Sequence, residues 1–76
     1  MLPESSKLLL DIRQALDDIG DFTRGLDLEA YLRDAKCRAA VERKFEVMGE
    51  ACTRLRDRFP EVFENVPDAR QMISFR

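Results

Sequence analysis

The sequence has no histidine and no tryptophan, and only three glycines, three prolines and two cysteines. Without His it cannot hold a Ser-His or Cys-His nucleophile pair, a His-ligated zinc or an imidazole acid–base catalyst. Two cysteines cannot build a four-thiolate metal site. Their wide separation within a helical pattern predicts reduced thiols rather than a disulfide framework. These residues therefore call for no metal and no cofactor. No stretch approaches the roughly 18 consecutive apolar residues of a membrane span, and Met1–Ser6 lacks the make-up of a signal peptide. A cytoplasmic protein with no membrane attachment is the expectation. Alternating strand patterns, an Asn-Gly hairpin and a phosphate-binding glycine motif are missing as well. Catalysis from these residues alone would fall to carboxylates. Asp17 and Asp18, adjacent on a helix, point about 100° apart and make no preset pair.

What is present is ample material for a folded chain. Hydrophobic residues make up 45% and charged residues 37%, a balance of globular rather than disordered sequences. The length of 76 residues is about half the ~150 of a typical domain. Net charge is −2, unevenly spread: residues 1–34 carry four basic and eight acidic side chains, residues 35–76 nine and seven. The second segment is mildly basic, with Arg54, Arg56 and Arg58 close together. Such a cluster can touch a polyanion, or simply complement the dipole at a solvated helix end.

The periodicity is helical throughout. After Pro3, Ser5 or Ser6 is placed to cap a helix whose apolar stripe runs Leu8, Leu9, Ile12, Ala15, Leu16, Ile19 and Phe22. Asp11, Asp17, Asp18 and Asp21 fall on the other face, Gly20 interrupts the last turn, and Gly25 supplies a left-handed stop. Asp27 caps a short segment, Leu28–Leu32, with Leu28, Tyr31 and Leu32 on one face. Asp34 opens the longest helix, ending near Arg58 before Phe59-Pro60. Its stripe of Cys37, Val41, Phe45, Met48, Cys52, Leu55 and Phe59 advances in steps of three and four, flanked by Ala40, Val47 and Ala51. This pattern makes the cysteines small core residues. The seam is wider than one partner helix covers, so further helices or a second copy are expected on it. Pro60, Asn65 and Pro67 mark a connection, Pro67 fits the first position of a new helix, and Ala69, Met72 and Ile73 give that helix its apolar face. The predicted fold is all-α: an antiparallel helical bundle in a single domain, residues 1–76, with its carboxy-terminal helices incomplete.

Some side chains break this pattern. On a continuing helix Arg76 lies about 20° from Ala69, 40° from Met72 and 60° from Ile73. It points with the apolar stripe, where a guanidinium needs a partner or a cleft holding an anion. Fraying at the end of the chain would instead let it reach water. Lys44 also sits amid its helix's apolar positions, where its stem can snorkel. Gly49, mid-helix, costs about 1 kcal/mol relative to Ala; it admits close approach of another backbone or is merely tolerated. Glu50, away from the seam, is spaced to pair with Arg54 at i+4.

Three blocks of the chain resemble the HepT-like toxins of the HEPN superfamily. They are Leu8-Leu9-Leu10-Asp11-Ile12; Val41-Glu42-Arg43-Lys44-Phe45-Glu46-Val47-Met48-Gly49-Glu50-Ala51 followed by Leu55; and Phe59-Pro60 with Val66-Pro67 leading through Ile73 to Arg76. The Gly-Glu-Ala element is moderately specific, and the order and spacing of the blocks add to it. In that family the helix after the late Pro carries Arg, a polar residue, three more residues and His, often with Tyr two positions later. Of these only Arg76 is matched, because the polar residue, His and Tyr would fall beyond it.

The resemblance implies a HEPN-like bundle of four or five helices, of which residues 1–76 form the amino-terminal portion. It also implies a homodimer acting as a metal-independent endoribonuclease in a toxin–antitoxin system, with an MntA-like nucleotidyltransferase antitoxin as partner. The two Arg-His motifs would share a cleft between subunits. His would move protons as the ribose 2′-hydroxyl attacks phosphorus, while Arg76 stabilises charge on the phosphate oxygens. The antitoxin would block that cleft by adenylylating the motif Tyr. On the same implication the 76-residue chain, lacking His, is inactive on its RNA substrate. The competing reading is a non-catalytic helical module for dimerisation or partner docking.

Overall fold

The computed structural model describes residues 3–74, and every regular element among them is helical. The order is α1 Glu4–Thr23, α2 Leu28–Arg33, α3 Ala35–Arg58, α4 Pro60–Glu64 and α5 Ala69–Ile73. The predicted all-α bundle is what the chain forms.

Its ends are set by local chemistry. Asp27 Oδ1 accepts the Ala30 amide and Asp34 Oδ1 accepts the Cys37 amide, so both predicted aspartate caps are in place. Gly25 has a φ of 77°, the left-handed conformation expected of it, although the helical run already ends at Thr23. The start of α1 differs from expectation. Pro3 takes the cap position without a side-chain bond, and Ser5 and Ser6 lie inside the first turn. The fixed φ of proline already suits the turn, Pro3 O accepts the Lys7 amide, and Glu4 complements the dipole. Residues 60–64, expected as connection, form α4, because Pro60 takes the helical first position predicted for Pro67. Pro67 instead sits in the turn before α5, whose cap is Asp68 at φ 59°.

Three contacts align α1 antiparallel to α3. Arg58 pairs with Glu4, Lys44 Nζ lies 2.9 Å from Asp18 Oδ2, and Cys37 Sγ donates to Phe22 O over 3.3 Å. The core between them joins Leu8, Ile12 and Ala15 to Met48, Ala51, Cys52 and Leu55, with Phe63 and Ala69 added from α4 and α5. Folding back of α4 and α5 covers the α3 seam that a single helix could not: Phe59, Val62, Met72 and Ile73 pack against it. The surface left open is on α1 and α2. Leu9 and Leu16, expected in the buried stripe, are exposed, as are Phe22, Leu28 and Leu32. No residue of α2 is buried.

Asp34 supplies the side-chain cap of the longest helix, so Asp34→Ala is expected to lower stability by about 1 kcal/mol. A urea midpoint equal to that of the unmodified chain would show that the cap is dispensable.

Candidate active site

Helix α5 leads toward the residue that the sequence singled out, and its register is fixed by small contacts. Ala69 is buried, and Met72 Sδ lies 3.7 Å from Cys52 Sγ, which is fully buried on α3. A thiol there is a space-filling group: burial pushes the Cys52 pKa up, away from reactive thiolate. Both cysteines are free, and Cys37 is half-buried. Arg76 itself lies outside the described residues.

Beside α5 a shallow cavity of about 280 Å³ is lined by residues of α4, α5 and the turn between them. Arg70 Nη2 donates to Glu64 Oε1 over 2.9 Å, and the guanidinium stands 5.5 Å from the Phe63 ring centroid. The neutralised Arg70 clamps α4 to α5. Neither partner was singled out by the sequence, since a spacing of six residues across a turn follows no helical rule. Asp68 at the mouth of this cavity takes a conformation that L-residues other than Asn and Asp seldom adopt.

The second charged group brought in from the sequence, Lys44, meets a specific partner. Its ammonium bridges α3 to Asp18 of α1, which also accepts a 2.9 Å bond from Gln14 Nε2. Asp18 thus lies on the flank facing α3, not on the outer acidic face expected for it. Lys44, and after it Gln14, holds the Asp18 carboxyl below its ordinary 3.8. The unfolded chain then binds more protons than the folded one between the two values, and stability rises with pH across that window. The contribution is complete above about pH 4 and is lost as pH falls through the folded value. Asp18→Asn is expected to lower stability in the neutral range, where the contribution is complete, and so to flatten the acid limb while leaving the most acidic end unaltered. An unchanged acid limb in urea titrations would remove this role from the pair.

The remaining candidates are ordinary surface or core. Glu50 and Arg54 are exposed and form no ion pair with each other; Arg56 pairs with Asp57, and Arg58 with Glu4. Gly49 is buried on α3. Among the described residues no group of three or more Cys, Asp or Glu is placed to hold a metal ion. No described helix is long and apolar enough to cross a membrane.

The family model described as "Ribonuclease HepT-like" matches residues 12–76, nearly the whole chain and the stretch that carries α3, α5 and Arg76. The chain belongs to the HepT-like ribonuclease family. Among its HepT-like relatives, "Putative RNase MJ1380" of Methanocaldococcus jannaschii is 34% identical over 68 residues, which cover 90% of this chain and 62% of that protein. "Putative RNase MJ0127" of the same organism is 39% identical over 59 residues, 78% of this chain and 49% of that one. "Probable ribonuclease HepT" of Thermococcus cleftensis is 36% identical over 59 residues, 78% and 54%. The HepT-like chain thus spans about half to three fifths of the length of the curated relatives it matches. No solved structure matches it significantly.

Proposed function

We propose that this HepT-like chain is the amino-terminal part of a toxin that cleaves RNA without a metal ion, with Arg76 as its phosphate-stabilising catalytic residue. The observation that carries the proposal is the family match reaching Arg76, on the segment where the HepT-like pattern places its Arg. In this reading the protein works as a cytoplasmic homodimer whose two Arg76 side chains meet in one cleft. An MntA-like nucleotidyltransferase is its antitoxin.

The chemistry requires a proton carrier as well as a charge stabiliser. The 76 residues contain no His, so by themselves they are expected to leave RNA intact. Incubating the purified chain with RNA in EDTA checks this; cleavage that follows the protein through successive purification steps would contradict it. Reading the genomic frame downstream of Arg76 tests the toxin assignment. A His codon within the next turn and a half of helix supports it, and its absence defeats the nuclease reading.

One observation favours the alternative of a docking module. Helix α2 buries no residue and holds Leu28 and Leu32 in solvent. Partner binding without any RNA cleavage by the native-length protein would select that reading.

A further inference from the structure

Arg38 Nε is the one buried side-chain nitrogen or oxygen that has no hydrogen-bond partner among the described residues. Arg24, Arg43, Arg56, Arg58 and Arg70 each hold a carboxylate. Arg38, half-buried on α3, holds none. We propose that Arg38, with Arg33 and Lys36 beside it in the chain, grips the phosphate backbone of RNA. The proposal rests on the RNA reading above and extends it to a contact outside Arg76 and the family's motif.

Helical register explains why this guanidinium is half-buried. Seven-residue steps place Arg38 within about 20° of Phe45 and 40° of Cys52 around α3. That is the flank of the apolar stripe, because Cys52 lies in the core and Phe45 packs against it. A donor shut off from water, on a group charged at every working pH, calls for an acceptor. Two carboxylates stand one helical turn away, and neither supplies it. Asp34 Oδ1 accepts the Cys37 amide, and Glu42 is exposed and forms no ion pair among the described residues.

The surroundings are cationic. Arg33 closes α2 and Lys36 lies in the first turn of α3; both are exposed and neither is paired among the described residues. These charges do not serve the helix, since cations at its start oppose the dipole. Between Arg33 and Arg38 the sole acid is the cap, Asp34. The run of Arg54, Arg56 and Arg58, which the sequence made a candidate for a polyanion, is largely neutralised instead: Arg56 pairs with Asp57 and Arg58 with Glu4. Three cations without partners, so close in the chain, suit a ligand of repeating negative charge, which a nucleic-acid backbone is and a single carboxylate is not. A chain of net charge −2 gains nothing from overall attraction to RNA, so contact depends on such a local patch. Arg38 gives the patch its geometry, because its planar fork can offer two donors to one phosphate.

The test measures the anisotropy of a fluorescent single-stranded oligouridine RNA added to the full 76-residue chain in EDTA, over a series of salt concentrations. Losing one phosphate contact lowers the slope of log affinity against log salt by about 0.7, and weakens binding about eightfold at about 50 mM salt. Arg38→Gln should show both effects. Arg38→Lys should keep the slope, since the charge stays, and lose part of the affinity with the fork. Lys7→Gln makes the same charge change at the far end of α3, one turn from the Glu4 that pairs with Arg58, and should leave binding unchanged. Circular dichroism checks that the variants keep their helices. A second reading needs no variant: the Arg38 Nε–Hε NMR signal of the unmodified chain should shift as RNA is added. RNA bound equally by the unmodified chain and by Arg38→Gln would overturn the proposal and leave the RNA reading standing. An Nε–Hε signal that stays in place at saturating RNA would overturn it too, as would a chain that binds no RNA; the downstream frame tests the RNA reading separately. A signal moved by Glu42→Gln and not by RNA would make Arg38 an internal partner of Glu42 and overturn the proposal equally.

Discussion

Replacing Leu55 by Ala is expected to leave the chain largely unfolded at room temperature. Leu55 is fully buried on α3, in one core with Leu8, Ile12 and Phe63. Truncating a buried Leu to Ala costs about 2–5 kcal/mol, the spread reflecting how far the surroundings collapse into the cavity. Collapse has little scope at this position, because helices α1 and α4–α5 press on α3 from separate directions. A core of this size, with both cysteines free, supplies about 3–5 kcal/mol in all. The loss is therefore comparable to the whole margin.

Leu28 provides the contrast. It is the same residue type, but it is 73% exposed on α2, and Leu28→Ala is expected to change stability by less than about 0.5 kcal/mol. Urea titration followed by circular dichroism reads both variants. A Leu55→Ala chain retaining most of its helix and its urea midpoint would mean that the core described here is not what holds the fold together.

How much of this was legible in the sequence depends on the range of the interaction concerned. Asp27 and Asp34 could be read as caps because a carboxylate three residues before an orphan amide has one local use. The α3 stripe could be read because its period is carried by the residues themselves. Local chemistry with two equally good outcomes was harder: Pro60 and Pro67 both suit the first turn of a helix, and only packing of Phe63 into the core selects Pro60. Pairings between elements left no signal. Nothing in the spacing of Asp18 and Lys44 announces a bridge between α1 and α3, and the Glu64–Arg70 clamp crosses a turn whose left-handed Asp68 no pattern required. The exposed flank of Leu9 and Leu16 was invisible for the same reason, since a stripe states what can be buried and not what is available to bury it. Arg76 drew notice because a continuing helix would carry it onto an apolar face, and the catalytic role proposed for it rests on the family's arrangement of residues.

In a native-length protein that supplies His downstream, Arg76→Ala is expected to lower kcat for RNA cleavage about 10²–10³-fold. Attack of the 2′-hydroxyl on phosphorus builds negative charge on the non-bridging oxygens, and that charge is larger in the transition state than in bound RNA. A group that answers this difference changes kcat more than KM. Arg suits the task because its planar donors can reach two phosphate oxygens together, and its charge persists at every working pH. Arg76→Lys retains charge but loses that bidentate geometry, so it should recover only part of the rate. Circular dichroism melting separates this from a structural defect. Ala69, Met72 and Ile73 already anchor α5 to α3, and removal of Arg76 should leave the melting temperature nearly unchanged. A variant that cleaves RNA as fast as the unmodified protein would take Arg76 out of the chemistry. A variant that loses binding and turnover in equal proportion would make it a contact that holds RNA without accelerating its cleavage.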